Sequence, residues 1–206
     1  MKKTNVLFSF LLVMIASCYE DDTVFIDDGS RRCDNVVTGS DFVTCGGQTY
    51  RTIQIGSQIW MAENLNYNTA GSGCYSNNSG NCATYGRLYN WHTASAVCPD
   101  GWHLPSDEEW TILTNFIGSN AGTKLKVENG WNGTDDYGFS ALPGGRCIGK
   151  LCRYINADGF WWTASESSDI SSWFRYIYNN GSNVGKSTAN RPVWYSVRCI
   201  QTTVPD

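Results

Sequence analysis

The sequence is poor in the side chains from which catalytic and metal centres are most often built. Its 206 residues include only two histidines, His92 and His103, and none of its nine cysteines forms a Cys-x-x-Cys pair. Zinc sites take thiolates and imidazoles at close spacing, so these positions argue against zinc. A Gly-x-Ser-x-Gly motif is also absent, which removes a common signature of serine hydrolases.

Positive charge is scarce as well. The sequence has 15 Lys and Arg against 19 Asp and Glu, for a formal net charge of −4. Proteins that bind nucleic acid concentrate basic side chains along the phosphate backbone, and this chain has no basic cluster of that kind. We therefore expect no nucleic-acid partner.

Long apolar runs are missing except near the N-terminus. The run from Val6 to Ile15 follows Lys2 and Lys3 and is too short to span a bilayer. It leads into Ile15-Ala-Ser-Cys18, which has the layout of a secretory signal with a small-residue cleavage site. The same residues match a bacterial lipobox, so we expect a signal peptide at 1–17 and a lipidated Cys18. An ordinary secretory signal, with Cys18 as an odd thiol, is the alternative.

Lipidation at Cys18 would place the protein in the bacterial cell envelope, at the surface of the outer membrane. A cysteine that carries several acyl chains is a stable membrane anchor. Residues 18–46 are interpreted as the lipidated N-terminus and a tether, because residues 19–32 are acidic and rich in turn formers. Residues 47–202 are long enough for one domain with its own core.

Eight cysteines remain after Cys18, and an even number in an oxidising compartment predicts a disulfide framework. Many pairings of eight cysteines are open. Proximity in the sequence favours three short-range bridges and leaves one long-range bridge. The resulting pairs are Cys33 with Cys45, Cys74 with Cys82, Cys147 with Cys152, and Cys98 with Cys199.

Apolar periodicity predicts both strands and helices. Alternating apolar residues at 50–61 predict a β-hairpin with Gly-Ser-Gln at its turn, and residues 173–187 predict a second hairpin. Residues 66–86 are rich in Asn, Ser and Gly and predict a long loop. Helices are predicted over 87–97 and from Ser106 onward. This order of elements is an α+β plan.

The segment Ser106-Asp-Glu-Glu109 has the pattern of a capping box, in which Ser106 and Glu109 each bind the other's amide. Asp107 and Glu108 fall in the first turn, where the helix dipole favours negative charge. One face of this helix is predicted to be buried because apolar residues recur at helical spacing. These residues are Trp110, Leu113, Phe116 and Ile117. We interpret the adjacent His103 as a packed, hydrogen-bonded residue and not as a catalytic base.

Six motifs carry a resemblance to a known family. They are GQTYRTIQIGSQIWMAENLNY, YGRLYNW, CPDGWHLPSDEEW, GTDDYGFSALPGG, FWWTASES and YSVRCI. From Gly47 to Ile200 the chain resembles the Fibrobacter succinogenes major paralogous domain, a family of secreted and surface bacterial domains without an assigned biochemical activity. The resemblance implies a C-type-lectin-like fold with two helices and a small looped antiparallel sheet. It also implies a bridge from the last strand to a helix-side cysteine, which Cys98 and Cys199 fit.

The pair Cys147 and Cys152 departs from that family pattern, and Cys33 and Cys45 lie outside its core. The segment from Gly101 to Trp110 is also similar to the helix start of formylglycine-generating, sulfatase-modifying enzymes. Those enzymes bind copper with two cysteines five residues apart, the spacing of Cys147 and Cys152. The order of motifs differs, however, and an exported protein would oxidise such neighbours to a disulfide. A copper- and oxygen-dependent enzyme therefore remains a lower alternative.

One acidic segment offers the hard oxygen ligands that calcium prefers. These candidate ligands are Glu128, Asn129, Asn132, Asp135 and Asp136. Their spacing is not that of an EF-hand, and a polar loop of Asx turns is the alternative. We expect no required cofactor, with calcium as a candidate.

Aromatic residues are the remaining functional clue, because the chain has 9 Trp and 11 Tyr. Exposed aromatic rings stack on the C–H faces of sugars. The candidate ligand-binding residues are Trp131, Trp173, Tyr176, Tyr178 and Trp194. We therefore expect a surface lipoprotein that binds a glycan or a surface protein without catalysis. An architectural envelope protein is the second alternative.

Overall fold

The computed structural model of the protein describes residues 32–34, 36–39 and 41–202. These residues form a mixed α+β fold, as the sequence predicts. The strands are β1 (Phe42–Cys45), β2 (Gln48–Ile55), β3 (Gln58–Met61), β4 (Ser72–Gly73), β5 (Leu88–Tyr89), β6 (Trp102–His103), β7 (Gly144–Ile148), β8 (Leu151–Ile155), β9 (Gly159–Ser168), β10 (Ser171–Ile177), β11 (Gly185–Asn190), β12 (Tyr195–Ser196) and β13 (Ile200–Gln201). The helices are α1 (Ser79–Tyr85), α2 (Trp91–Ala94), α3 (Asp107–Ile117) and α4 (Ala121–Leu125).

The predicted signal peptide, Cys18 and tether residues 19–31 lie outside the described residues. Within the described part, no helix is long and apolar enough to cross a membrane.

Two sheets and one separate hairpin organise the fold. The first sheet has the strand order β1-β2-β3-β13-β6, and the second has β11-β10-β9-β12-β5-β4. Strands β7 and β8 form a two-stranded hairpin of their own. Pairing between these strands is antiparallel except between β12 and β9, where Ser196 lies opposite Trp161. Sequence neighbours supply most pairs, which explains why the two long hairpins could be predicted.

The hairpin predicted at residues 50–61 is confirmed as β2 and β3. Ile55 lies opposite Gln58, and Gly56 in the turn has φ +61°, a left-handed conformation that glycine adopts without steric cost. The hairpin predicted at residues 173–187 is confirmed as β10 and β11.

Helix α3 begins as predicted. The Glu109 amide donates to the Ser106 hydroxyl at 3.1 Å, and the Ser106 amide donates to the Glu109 carboxylate at 2.7 Å. The predicted buried face is confirmed at three positions, which are Trp110, Leu113 and Ile117. The prediction for Phe116 is wrong, because this side chain is 57% exposed. Its ring lies outside the core, in edge contact with Tyr137.

The helix predicted over residues 87–97 is largely wrong. Leu88 and Tyr89 form strand β5 between β12 and β4, and the helix is confined to Trp91–Ala94. Asn90 separates the two elements, since its side chain accepts from the Thr93 amide as an N-cap. Only pairing with distant strands makes residues 88–89 extended.

The loop predicted at residues 66–86 also contains a helix, α1, which the sequence reading missed. Asn78 caps it by accepting from the Gly80 amide at 2.9 Å, and the disulfide between Cys74 and Cys82 links its second turn to the preceding segment. The described part therefore has four α-helices where two helices were expected.

The folded part begins before residue 47, the boundary expected from the sequence. Strand β1 pairs with β2, the Cys33 amide donates to the Val97 carbonyl at 3.2 Å, and Cys33 and Cys45 are both buried. Cys33 and the strand Phe42–Cys45 therefore pack on the domain although they lie in the segment interpreted as a tether.

All four predicted disulfides are present. The pairs are Cys33–Cys45, Cys74–Cys82, Cys98–Cys199 and Cys147–Cys152. The long-range bridge joins Cys199, directly before β13, to Cys98, which follows α2. It therefore links the first sheet to the middle of the chain.

Candidate ligand-binding site

The β7–β8 hairpin is fixed against the end of the second sheet by backbone hydrogen bonds. The Cys147 amide donates to the Trp194 carbonyl at 3.1 Å, and the Trp194 amide donates back to Cys147 at 2.9 Å. The Gly145 amide donates to the Asp158 carbonyl at 3.0 Å. These bonds place one face of the hairpin beside β9 and β10.

A surface pocket of about 340 Å³ opens between the hairpin and these strands. We call it the aromatic pocket. Its lining residues are Arg146, Tyr154, Asp158, Phe160, Phe174 and Tyr178. Its volume lies at the lower end of the range typical of small-molecule sites.

Buried aromatic rings support the inner wall of the pocket. Phe160 and Phe174 are 5% and 7% exposed, and their ring centroids lie 6.2 Å apart. Both rings contact the fully buried ring of Tyr195, at 5.5 Å and 4.6 Å. Because close-packed rings have little freedom to move, this wall is rigid.

Two tyrosines form the outer rim. Tyr154 and Tyr178 are 44% and 48% exposed, so their rings remain available to a ligand. Tyr154 has φ +71°, an uncommon conformation for a bulky residue. Its carbonyl accepts from the amides of Ala157 and Asp158, and this tight turn holds the conformation.

The other rim residue, Tyr178, is positioned by a buried lysine. The Lys126 ammonium donates to the carbonyls of Asn179 and Gly181 at 2.9 and 3.0 Å, and Lys126 is 2% exposed. Burial lowers the pKa of this ammonium. The Tyr178 ring packs on Tyr176, with centroids 4.5 Å apart. The rim is therefore preformed.

Arg146 is the cationic group of the pocket. Its guanidinium carbon lies 5.3 Å from the Tyr154 ring centroid and 5.7 Å from that of Phe160. The buried Tyr195 hydroxyl lies near Arg146 but has no hydrogen-bond partner in the described part. Burial raises the pKa of Tyr195, although Arg146 opposes this. The phenol is thus neutral beside a charged guanidinium at neutral pH.

Asp158 is the one carboxylate among the lining residues. Its Oδ1 accepts from the Asn179 amide at 3.1 Å, which fixes the side chain at the pocket edge. Among residues 41–202, no carboxylate lies within ion-pair distance of Arg146. The pocket therefore offers a cationic donor and an anionic acceptor at separate positions.

The five aromatics proposed from the sequence do not form one site. Tyr178 lines the pocket and Tyr176 packs behind it. Trp173 lies elsewhere, with the Lys186 ammonium 4.9 Å from its ring centroid, and Trp194 is half-buried against Gly73. Trp131 is only 1% exposed, so the prediction that it contacts a ligand is wrong.

Trp131 is buried because its indole N–H donates to the Ala157 carbonyl at 2.7 Å and its ring packs beside Trp161. Adjacent aromatics in β9 divide between the two faces of the strand, as expected for extended chain. Trp161 joins the core under α3, and Trp162 joins the other core with Phe160.

Most of the pocket was missed in the sequence. Arg146 and Tyr154 stand on the hairpin, while Phe160 and Phe174 come from β9 and β10. The alternation of Phe160 with Trp162 was a usable signal that these rings share one face. The left-handed turn at Tyr154 has no such signal, because glycine or asparagine would be expected there.

The candidate calcium ligands are mostly exposed and separate. Glu128, Asn129, Asn132 and Asp136 are exposed. Both carboxylate oxygens of Asp135 accept from Ser140, at 2.7 and 2.6 Å, so Asp135 stabilises its own loop. In the ranges that the structure describes, no three His, Cys, Asp or Glu side chains are grouped as metal ligands. Calcium binding stays a prediction.

His103 is a packed, hydrogen-bonded residue. Its Nε2 lies 2.8 Å from Glu109 Oε1, and its Nδ1 lies 3.0 Å from the Thr202 hydroxyl. Partial burial would raise the pKa of Glu109, but the hydrogen bonds from His103 and Ser106 outweigh it and lower the pKa. His103 therefore belongs to the helix cap and lies outside the lining of the pocket.

Comparison with known proteins gives one positive result. A search of curated proteins and a search of solved structures both found no match, so the C-type-lectin-like arrangement stays an implication of the resemblance. Residues 53–201 match the Fibrobacter succinogenes major domain. The match spans most of the chain and includes every residue that lines the aromatic pocket. The protein therefore belongs to the Fibrobacter succinogenes major domain family.

Proposed function

We propose that the protein is a surface lipoprotein whose domain binds a glycan, or another surface partner, without catalysis. The observation that carries this proposal is the aromatic pocket. Ligand sites are mostly apolar concavities with a few placed polar groups, and here four aromatic rings surround Arg146 and Asp158.

Exposed tyrosines at the rim favour a sugar as the ligand. The rings of Tyr154 and Tyr178 are each about half exposed, so they offer flat faces to the C–H groups of a pyranose. The electron-rich face of an aromatic ring attracts such positively polarised hydrogens. Asp158 would accept hydrogen bonds from ring hydroxyls.

The absence of catalysis is supported by how the reactive groups are used. A glycosidase of the common kind needs two carboxylates at the scissile bond, and Asp158 is the one carboxylate that lines the pocket. His103 is engaged by Glu109 and Thr202. Among the residues that line the pocket, Asp158 therefore has no second carboxylate beside it.

The copper-dependent alternative is less well supported. It needs at least one free thiolate from Cys147 or Cys152, and the two sulfurs form a disulfide. The family that the chain matches is also the Fibrobacter succinogenes major domain, not the formylglycine-generating enzymes.

An architectural role is the second candidate, and the four disulfides favour it. Disulfides stabilise small exported domains, and a durable coat protein would use them. A coat protein has no need for a preformed pocket with exposed tyrosines, however, and this difference favours binding.

The proposed location is the bacterial outer membrane, with the protein anchored through acyl chains on Cys18 and exposed at the surface. No cofactor is required for binding in this proposal, and calcium is an auxiliary candidate only. The partner is a glycan or a surface protein.

A glycan array tests the proposal. The purified protein should bind at least one glycan class, and Tyr178→Ala should weaken that binding about 10-fold or more, as expected for a central aromatic contact. Phe116→Ala is the matched control, because Phe116 is an exposed aromatic outside the pocket. Equal loss in both variants, or no glycan bound, would count against the pocket.

A further inference from the structure

The charge of the β7–β8 hairpin is opposite in sign to the net charge of the whole protein. The chain carries a net charge of −4, yet residues 137–157 contain three basic side chains and no acidic one. These are Arg146, Lys150 and Arg153, all on or at the turn of the β7–β8 hairpin. The hairpin therefore contributes only positive charge beside the pocket, whereas Asp158, the next residue along the chain, is the one carboxylate that lines it.

The hairpin presents its two arginines side by side. Arg146 lies opposite Arg153 in the pairing of β7 with β8, so both side chains leave the same face of the hairpin. Like charges in cross-strand pairs are unfavourable. No ion pair involves Arg146, Lys150 or Arg153 within the described ranges, so this repulsion is not relieved by the chain itself.

Arg146 also lies against two aromatic rings. The ring centroids of Tyr154 and Phe160 lie 5.3 and 5.7 Å from its guanidinium carbon, and the nearby Tyr195 hydroxyl is buried without a hydrogen-bond partner in the described part. Arginine recognises carboxylates through two parallel N–H bonds. A fixed guanidinium loses little freedom on binding.

From this geometry we infer that the ligand of the aromatic pocket is an acidic sugar, a carboxylate-bearing pyranose in an anionic polysaccharide. Its carboxylate binds Arg146, and its ring contacts Tyr154 and Tyr178. This inference rests on the proposed function and narrows its ligand class.

One further feature supports a polymer as the source of the sugar, and a second favours one orientation of the bound ring. Arg153 is exposed and lies beside Arg146 on the hairpin face, where it can bind the acidic group of a neighbouring unit. Asp158 also lines the pocket and would repel a carboxylate, so it favours binding with the charged group of the ring towards Arg146.

Three probes test the inference with the purified full chain. They are an oligomer of galacturonic acid, the same oligomer as its methyl ester, and poly-glutamate. The ester keeps the pyranose ring and removes the charge, whereas poly-glutamate keeps the charge and removes the ring. We expect the acid oligomer to bind about 10-fold or more tightly than either of the others, since hydrogen bonds to charged groups are the strong ones.

Variants assign the effect to a residue. Arg146→Gln should lower affinity for the acid oligomer about 10-fold and change affinity for the ester less than about 3-fold. Arg146→Lys should recover only part of the loss, because lysine lacks the planar fork. Arg51→Gln is the control, since Arg51 is an exposed arginine on β2 that pairs with Glu63. Thermal unfolding of each variant verifies that it is folded.

Each outcome has a separate meaning. Equal binding of acid oligomer and ester overturns the acidic-sugar inference and leaves glycan binding intact. Equal or tighter binding of poly-glutamate overturns the sugar and indicates an acidic peptide. If neither oligomer binds while neutral glycans bind on the array, the inference fails alone. If no glycan of any kind binds, the proposed function fails with it.

Discussion

Arg198 and Asn64 lie 134 residues apart in the sequence and meet in the core, where the Arg198 Nη2 donates to the Asn64 Oδ1 at 2.9 Å. The same amide oxygen accepts from the indole N–H of Trp161 at 2.8 Å. Arg198 is fully buried, and in the described part no carboxylate lies within ion-pair distance of it. The neutral Asn64 side chain is therefore a main hydrogen-bond acceptor for the buried Arg198 guanidinium.

Two further guanidinium hydrogen bonds go to backbone carbonyls. Arg198 donates to the carbonyls of Phe139 and Ser140, and its guanidinium carbon lies 4.2 Å from the Phe139 ring centroid. Burial lowers the pKa of Arg198 to about 9, so the side chain is still charged at neutral pH. These contacts join the segment before β13 to the loop that precedes β7, which carries Arg146.

We predict that Asn64→Leu destabilises the protein more than Arg198→Met. The first change leaves a buried charge short of an acceptor and should lower the free energy of unfolding by about 3–5 kcal/mol. The second removes the charge and leaves unpaired carbonyls, at about 1–3 kcal/mol. Urea denaturation measures both. Arg51→Met, at a surface ion pair, should change stability by less than about 1 kcal/mol, and the reverse order of the two core variants would contradict this account.

Local signals explain what the sequence could predict. The capping box at Ser106 and the glycine turn at Gly56 involve residues within a few positions of each other, and both were visible. Strand β5 was not, because Tyr89 is extended only through pairing with Tyr195 and Ser72. An Asn90 cap in the middle of a helix-like pattern was the missed clue.

The pocket depended even more on distant contacts. Tyr178 could be proposed because it is an aromatic residue in a hairpin, but its position is set by Lys126, more than fifty residues earlier. Arg146 had no pattern that marked it, since its environment is built from Tyr154, Phe160 and Tyr195. Trp131 was misassigned because composition does not distinguish a buried indole from an exposed one.

The capping box gives a prediction about stability without function. Ser106→Ala removes the hydroxyl that accepts from the Glu109 amide and should lower the free energy of unfolding by about 0.5–2 kcal/mol. His103→Gln should leave ligand binding unchanged, because His103 lies outside the pocket lining. Denaturation curves and binding titrations check the two effects. Loss of binding by a folded His103→Gln protein would reverse its assignment.

Acid should destabilise the protein in part through Glu109. Hydrogen bonds hold its pKa in the folded protein below the ordinary value of 4.5. The resulting stabilisation is present above that ordinary value and is lost as pH falls through the lower folded pKa. In Glu109→Gln, the free energy of unfolding should therefore decrease less steeply below about pH 4.5 than it does in the wild type. The exposed neighbour variant Glu108→Gln serves as the control, and equal flattening in both would contradict the role of Glu109.

The lipid anchor is tested at Cys18, which lies outside the described residues. If Ile15-Ala-Ser-Cys18 is a lipobox, Cys18→Ala should leave the precursor unprocessed or release the protein from membranes, since its acyl chains supply the membrane affinity. Detergent-phase partitioning of wild type and variant measures this. Unchanged partitioning of the variant would show that Cys18 is not the anchor.

The bridge between Cys147 and Cys152 should matter more for binding than for stability. It closes a loop with a sequence separation of 5, against 101 for Cys98 and Cys199. In the loop-entropy model the short bridge contributes about 2 kcal/mol and the long one about 5 kcal/mol. Replacing both Cys147 and Cys152 by alanine should therefore destabilise the protein much less than replacing both Cys98 and Cys199.

The hairpin variant should nevertheless lose ligand affinity. Arg146 directly precedes Cys147, and the disulfide holds β7 to β8 at the point where the hairpin projects beside the pocket. Without the bridge, Arg146 and Tyr154 gain freedom that a ligand must then remove, so affinity should fall several-fold while the domain stays folded. Alkylation of the native, unreduced protein followed by mass spectrometry provides the chemical check. An intact 147–152 linked peptide fits a binding domain, whereas label on either cysteine would contradict the disulfide and favour the thiol-dependent enzyme.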